Sequence, residues 1–571
     1  MAKLEDLGEV NTTDLLIIGG GIGGLSAAIK AKKEAPNLSV LLVDKATIGW
    51  AGKASKGGGI FCVLTPQYDL DRFVEYHVRN IGVYLNDQEL LYAYAREMQG
   101  AMEQLAAWGV NICRTADGKL DLYVRYSNTL SHGLWGIAGS DLDMMLSLRA
   151  QARKAGIKLL NKVHIVDLLK QGDQVIGAVG FGINDGRFFI IKSKATIMAN
   201  GGGSYKVRRM WAAASGDGIA AAYRAGAEMR NAEFGNAYHH ISAKDTDVEV
   251  DTRFLFNARG EELSQRYGDE TTSAEIPIPL ILAMESETLE GRGPIFEDLS
   301  WRHPDRARAG GAGSRDWKRP KAERWRARLA AKDQQYGPPR GAKREVTVYL
   351  HGELTPIKVD NDMKTTLSGL YAIGDTSYAG SAMAGAVPAP RGGLGGSGLG
   401  FALFSALRGG ASAARFAATA SQFDPDYSEV EKFRDEIFAP LHRTAGLSPT
   451  DAVWTIQNVV SPYKYMLRRS KERLEEALAK INEIENRLTE LTAKDLHFLA
   501  KCHEAKSMAV CAEMTFRAAL MRTETRGWQI REDYPKRDDE NWLKWVIVKQ
   551  KNGKMVLSTE SVPIDRYKFR P

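Results

Sequence analysis

The chain is poor in cysteine. Four occur in 571 residues, Cys62, Cys113, Cys502 and Cys511, and no two form a C-x-x-C pair. That excludes a disulfide scaffold and leaves no ligand spacing for an iron–sulfur cluster within this chain, so no metal site is expected. No run of eighteen apolar residues is present, so no membrane-spanning helix is expected. The N-terminal MAKLEDLGEV lacks the apolar stretch of a signal peptide, and a cytoplasmic location is the default expectation. An excess of one charge is confined to one place. Residues 301–345 hold 14 Lys/Arg against 5 Asp/Glu, whereas the remaining 63 basic and 65 acidic residues nearly cancel. The basic character is local, so a nucleic-acid role for the chain is not supported.

What is present is ordinary globular composition, 44% hydrophobic and 26% charged. The length suggests three to four domains at roughly 150 residues each. Glycine is the surplus, 56 residues, and it clusters. Asp14–Ile18 reads as a short strand, followed by Gly19-Gly20-Gly21-Ile22-Gly23-Gly24 and then a helix from Leu25. This is G-x-G-x-x-G in strand–turn–helix context. Gly19 allows the tight turn, Gly21 admits a pyrophosphate to the backbone, and Gly24 lets helix and strand close up. A second strand, Leu38–Val43, ends in Asp44, 20 residues after Gly24, where a carboxylate accepts from a ribose, with Lys45 adjoining. Further glycine-rich turns follow: Gly57-Gly58-Gly59, Asn200-Gly201-Gly202 after an apolar strand, Asp217 in SGDG, Gly374-Asp375 after another strand, and Ser397-Gly398.

These segments, with LFNARGEELSQRY and REDYPKRDDENW in the same order, resemble the flavoprotein subunit family of fumarate reductase, succinate dehydrogenase and adenylylsulfate reductase. PIPLILAMESETLEGRGPIFEDL is more similar to the adenylylsulfate reductase branch. The resemblance implies an α/β fold: a split FAD-binding domain of the two-dinucleotide-binding type (1–240 and 351–430). An inserted α+β capping domain (241–350, with the basic insertion 301–345), a helical domain (431–525) and a C-terminal tail (526–571) complete it. It places Gly374 and Asp375 near the ribityl chain. Independently, Leu474, Leu478, Ile481, Ile484, Leu488 and Leu491 recur at helical spacing. A helical hairpin is the main reading and a dimerising coiled coil the alternative.

For catalysis the resemblance points to Arg391, among glycines, as a substrate-clamping arginine, and to His351 and either His239 or His240 as active-site histidines. An arginine is suited to gripping an anion with two parallel hydrogen bonds. Two positions depart from the family. Its proton-shuttling arginine falls on Leu282, which cannot transfer a proton. The histidine that links flavin covalently in the membrane complexes falls near Gly52, with no histidine nearby, so FAD is expected to be non-covalent. The expected function is an FAD-dependent oxidoreductase subunit. It performs two-electron (hydride) chemistry on a small anionic or anion-tagged molecule and exchanges electrons with a separate iron–sulfur partner. Any membrane association is then peripheral, through that complex. Alternatives are an adenylylsulfate reductase-like enzyme, a self-contained enoate reductase or dehydrogenase, and a non-catalytic flavin electron-transfer subunit. The basic segment 301–345, with Trp301, Trp317 and Trp325, reads as a solvated insertion, a docking surface for an acidic partner, or a site for a large anion.

Overall fold

A computed structural model describes residues 3–50, 52–55, 59–122, 135–141, 143–207, 214–236, 238–243, 255–268, 278–298, 343–350, 352, 354–377 and 397–571. Its centre is a sheet built on β1 (Glu9–Ile18). β2 (Val40–Asp44), β5 (Lys158–Asn161) and β8 (Phe188–Met198) extend it in parallel, in the order β5-β2-β1-β8. The inner half of β1, Leu15–Ile18, is buried on both faces, which is why it reads as a continuous apolar run rather than an alternating one. β8 is longer than its neighbours and divides its far edge between two partners. Its first half pairs antiparallel with β7 (Gln174–Gly182), which continues to β6 (Val163–Gln171). Its last three residues pair parallel with β14 (Leu370–Ala372). The registers Ile18↔Val43, Ile18↔Met198 and Ala372↔Met198 bring the ends of β2, β1, β8 and β14 to one rim.

Helix α1 (Ile22–Glu34) follows β1, and α4 (Ser397–Thr419) packs along it and across the strands. A Cβ on Gly410 would lie 2.6 Å from the Ala27 carbonyl oxygen, so these helices meet backbone to backbone. A small sheet of β3 (Ile60–Val63) and β4 (Gly136–Gly139) lies beside α4. Between the two parts of the main sheet, α2 (Asp217–Arg224) leads toward a second sheet. That sheet is antiparallel: β10 (Tyr238–Ser242), β13 (Lys343–Leu350), β12 (Ile295–Asp298) and β11 (Leu255–Phe256), in that order. Helix α3 (Ile278–Leu289) packs on it. β10 begins at Tyr238, ahead of the expected boundary at 241, because its pairing with β13 runs from Tyr238↔Leu350 to Ser242↔Val346.

The C-terminal third is helical. In α6 (Lys471–Arg487), Leu474, Ile481 and Ile484 are buried, and Leu488 and Leu491 continue the stripe beyond its end. That stripe packs within the chain, against α5 (Pro449–Val460) and α7 (Leu496–Met521), as a helical hairpin would. α7 is buried on most sides, as its even spread of apolar residues requires. The segment expected as a tail folds into a hairpin, β15 (Lys544–Lys551) and β16 (Lys554–Ser561). Asn552 and Gly553 turn it with φ of 51° and 75°, the conformation that Asn-Gly favours. β15 also pairs with β9 (Met229–Arg230), so the C-terminus is sewn back onto the segment leading into β10.

The same region is fastened by buried charge. Glu524 and Arg522 have no exposed surface. The Glu524 carboxylate accepts from Arg522 Nη1 at 2.8 Å and from Arg526 Nε and Nη2 at 2.6 and 2.8 Å. Arg522 Nε also donates to Glu233 Oε1 at 2.7 Å, and Arg526 Nη1 to the Val83 carbonyl at 2.6 Å. Among the described residues no helix is long and apolar enough to cross a membrane.

Candidate functional site

The rim where the parallel strands end carries the glycine motif. Gly19 has φ of 117°, and a Cβ there would lie 2.2 Å from the Ala199 carbonyl oxygen. A Cβ on Gly24 would lie 1.8 Å from the Gly19 carbonyl oxygen. Gly24 closes the turn against its own backbone, and Gly19 lets the turn lie against the end of β8. Gly21, the N-cap of α1, is different: a Cβ there meets none of the described residues within 4 Å. The helix N-terminus therefore faces open space, with the dipole and free N–H groups that suit phosphate. Asp44 is fixed at the end of β2. Its Oδ2 accepts from Gly20 N and its Oδ1 from Ala46 N, both at 2.6 Å. A carboxylate keeps a second lone pair on each oxygen, enough for ribose hydroxyls.

On the far side of β1, the ends of β8 and β14 meet. Gly201 N donates to Thr376 Oγ1 at 3.1 Å, and a Cβ on Gly201 would meet nothing within 4 Å. The buried Asn200 Oδ1 accepts no hydrogen bond from the described residues. Gly202 lies against backbone, 2.8 Å from a Cβ there to the Leu354 carbonyl. Gly374 N donates to Ser405 Oγ of α4 at 2.9 Å. Asp375 pairs through Oδ2 with Lys53 Nζ at 3.1 Å, and its Oδ1 lies 4.0 Å from a Cβ built on Gly398, beside Ser397 at the start of α4. Gly59 is held by Ser140 N, which donates to its carbonyl at 2.7 Å. Gly57 and Gly58 lie outside the described residues.

The strand order β2-β1-β8-β14 orders these parts along the rim: ribose carboxylate, pyrophosphate turn, Asn200–Gly201, then Gly374–Asp375. Open space over Gly21 and Gly201, together with the unpartnered Asn200 amide oxygen, fits an extended dinucleotide. Residues Gly19–Gly24, Asp44 and Asn200–Gly202 would hold its adenosine and pyrophosphate, and Gly374, Asp375, Ser397 and Gly398 its flavin half.

Lys45 and Asp217 sit together, but in company the sequence did not foretell. Lys45 Nζ donates to Asp217 Oδ2 at 2.5 Å, to Glu504 Oε1 of α7 at 2.9 Å and to Ser215 Oγ at 3.1 Å. Lys206 also pairs with Glu504, and His164 Nε2 lies 3.4 Å from Asp217 Oδ2. Burial works against the Lys45 charge, but the Asp217 and Glu504 carboxylates outweigh it and raise its pKa. Asp217 is likewise desolvated, and Lys45 with His164 still holds it well below the usual carboxylate range. Glu504 lies 459 residues from Lys45, so no local motif could announce it.

The capping sheet carries the remaining expectations. His239 and His240 occupy consecutive positions of β10, paired with Tyr349 and Val348. His240 is half-buried. His351, Arg391 and residues 301–342 of the basic segment lie outside the described residues. Leu282 sits on α3, partly buried against the core. The arginine nearest to it in sequence, Arg292, is locked: its Nε and Nη2 donate to Glu287 at 2.9 and 2.8 Å. Arg292, then Tyr267 and Asn257, hold the Glu287 carboxyl down to about 2 against the desolvation that would raise it. Tyr238, not anticipated, is fully buried between Tyr463 and Trp528, with ring centroids 5.7 and 6.0 Å away, and its hydroxyl has no hydrogen-bond partner among the described residues.

Comparison with known proteins agrees with this geometry. An FAD binding domain matches residues 14–246, and the fumarate reductase flavoprotein C-terminal domain matches residues 456–571. A fumarate reductase (CoM/CoB) subunit of Methanothermobacter marburgensis is 26% identical, over 95% of this chain and 98% of its own. The 8-methylmenaquinol:fumarate reductase flavoprotein subunit of Wolinella succinogenes is 24% identical, over 98% and 92%. Among solved structures, adenylylsulfate reductase from Archaeoglobus fulgidus shares the fold with a TM-score of 0.77 at 23% identity, covering 100% of this chain and 99% of that one. A quinol-fumarate reductase shares it with a TM-score of 0.82 at 20% identity, covering 98% and 99%. The dinucleotide rim, the inserted second sheet and the two matched domains define an FAD-dependent oxidoreductase. The chain carries the FAD binding domain and the C-terminal domain of fumarate reductase flavoproteins, and it is similar along its length to fumarate reductase and succinate dehydrogenase flavoprotein subunits.

Proposed function

We propose that this chain is the flavoprotein subunit of a two-component oxidoreductase. It acts on a small anionic or anion-tagged substrate and exchanges electrons with a separate iron–sulfur protein. The observation that carries this reading is its end-to-end likeness to proteins named as subunits, over 95% of the chain in the Methanothermobacter case. Bound FAD supplies two-electron hydride chemistry, and one-electron carriers must then drain or fill it singly. No group of three His, Cys, Asp or Glu side chains able to hold a metal occurs among the described residues. The chain's own residues divide the remaining work. The open N-terminus at Gly21 and the Asp44 carboxylate seat the cofactor without a covalent tether. Arg391 clamps the substrate anion, and His351 with one of His239 and His240 orients it.

The proton route is what separates possible substrates. Leu282 has no proton to give, and Arg292 is committed to Glu287. Loss of a positioned general acid costs about 10²–10⁴-fold in rate. This supports a substrate other than fumarate or succinate, one whose two-electron step needs no proton from that position, such as an adenylylsulfate-type anion. The same observation favours a second reading, in which the chain passes electrons with no substrate of its own.

The test is anaerobic reoxidation of the dithionite-reduced holoprotein by a panel of anionic acceptors. The proposal expects reoxidation by a panel member other than fumarate, with Arg391→Ala weakening that acceptor's binding by the roughly 1.5–3 kcal/mol of a charged hydrogen bond. Reoxidation by no panel member, together with rapid electron transfer to an iron–sulfur protein, would favour the second reading.

A further inference from the structure

Lys53 belongs to no glycine motif, yet it stands inside the cofactor rim. Its loop runs along the pyrophosphate turn: a Cβ on Gly52 would lie 3.9 Å from Gly21 Cα. From there the Lys53 side chain reaches across the ends of the strands, and its ammonium meets Asp375 Oδ2 at 3.1 Å. Both side chains are about a quarter exposed, at 26% and 22%, so the pair is neither on the outer surface nor in the apolar core. Asp375 follows β14, which lies beyond β8 from β1, while the ribose carboxylate Asp44 ends β2 on the opposite side of β1. A dinucleotide whose pyrophosphate lies over Gly21 and whose adenosine ribose meets Asp44 must extend its other half toward Asp375. The Lys53 ammonium is therefore on the flavin half.

We infer that Lys53 is a fixed cation that raises the reduction potential of the bound flavin, with Asp375 as the residue that positions it. This rests on the FAD reading and goes beyond it. A hydride arriving on the oxidised ring brings two electrons and one proton, so the ring gains one negative charge while the donor loses a hydride. A cation held on the flavin half of the site would favour the reduced state over the oxidised one. Asp375 offsets part of that field, but it also fixes where the ammonium stands, which a free lysine on a four-carbon stem would not do.

The experiment compares wild type, Lys53→Met and Lys53→Arg as FAD-loaded proteins. The flavin midpoint potential is measured by dye equilibration with dithionite as reductant, and FAD affinity by fluorescence titration. Lys53→Met is expected to keep stoichiometric FAD and to shift the potential downward. Each tenfold loss of preference for the reduced state is ~30 mV for a two-electron couple. Lys53→Arg, which keeps the charge, is expected to restore the wild-type potential. An unchanged potential in Lys53→Met with FAD bound would overturn the inference. Loss of FAD from Lys53→Met would also overturn it, assigning Lys53 to phosphate binding instead. Wild-type protein that takes up no FAD would defeat the underlying cofactor reading, an outcome distinct from both.

Discussion

Single residues carry the sharpest expectations here because the rim is made of backbone held at contact distance. Gly21 is the one position of the turn that faces open space. Gly21→Asp puts a carboxylate where a pyrophosphate should lie, so that binding would bury like charge against it with no partner; it should abolish FAD binding while leaving the fold intact. Flavin absorbance and circular dichroism of the purified variant check both halves; stoichiometric FAD in it would show that the phosphates lie elsewhere. Leu282 makes the second expectation. Holoprotein should turn over fumarate and succinate negligibly, and a standard dye-coupled assay decides it. Rapid turnover would mean that another group supplies the proton.

Elements show where the sequence was legible and where it stopped. The β1–turn–α1 unit was readable because its glycines obey local geometry, each demanded by a contact within a few residues or by the adjacent strand. The α6 stripe was readable because helical periodicity is also local. The Lys45–Asp217–Glu504 cluster was half readable: the first two residues belong to motifs, while Glu504 comes from a helix that only the tertiary fold brings near. The Lys53–Asp375 pair and the Arg522–Glu524–Arg526 network were invisible for the same reason. The helical hairpin itself yields a pH expectation. Burial, then the Glu513 charge, push the Glu485 carboxyl on α6 up to about 7, with Arg517 opposing. A folded pKa above the unfolded value gives a contribution fully present below the unfolded pKa and lost as pH rises through 7. Between pH 5 and pH 8 the wild-type Tm should therefore fall more than that of Glu485→Gln, as differential scanning calorimetry would show. Parallel Tm curves would place Glu485 in water.

At the scale of the whole molecule, the C-terminal third is built to stay attached. The hairpin β15–β16 pairs with β9 just ahead of the capping sheet, and the buried Glu524 bridges two arginines beneath it. Removing one partner of such a buried network strands the others, at a cost of about 3–5 kcal/mol. Glu524→Ala should lower stability by that much in denaturant melts; a loss under 1 kcal/mol would mean the arginines find water. The run Glu532–Arg537 above this network is exposed, with Tyr534 at 45%. It lies within the segment Arg526–Trp542, near which we expect the iron–sulfur partner to dock, with the basic segment 301–345 adding steering that weakens as salt rises. The most direct test of the central claim is purification of the native protein from its source with flavin, iron and acid-labile sulfide all quantified. One FAD per chain is expected, released by acid into the supernatant, with iron and sulfide on a second polypeptide that co-purifies. A lone chain that carries FAD, turns over substrate fully and brings no iron–sulfur protein with it would rule out a two-component enzyme.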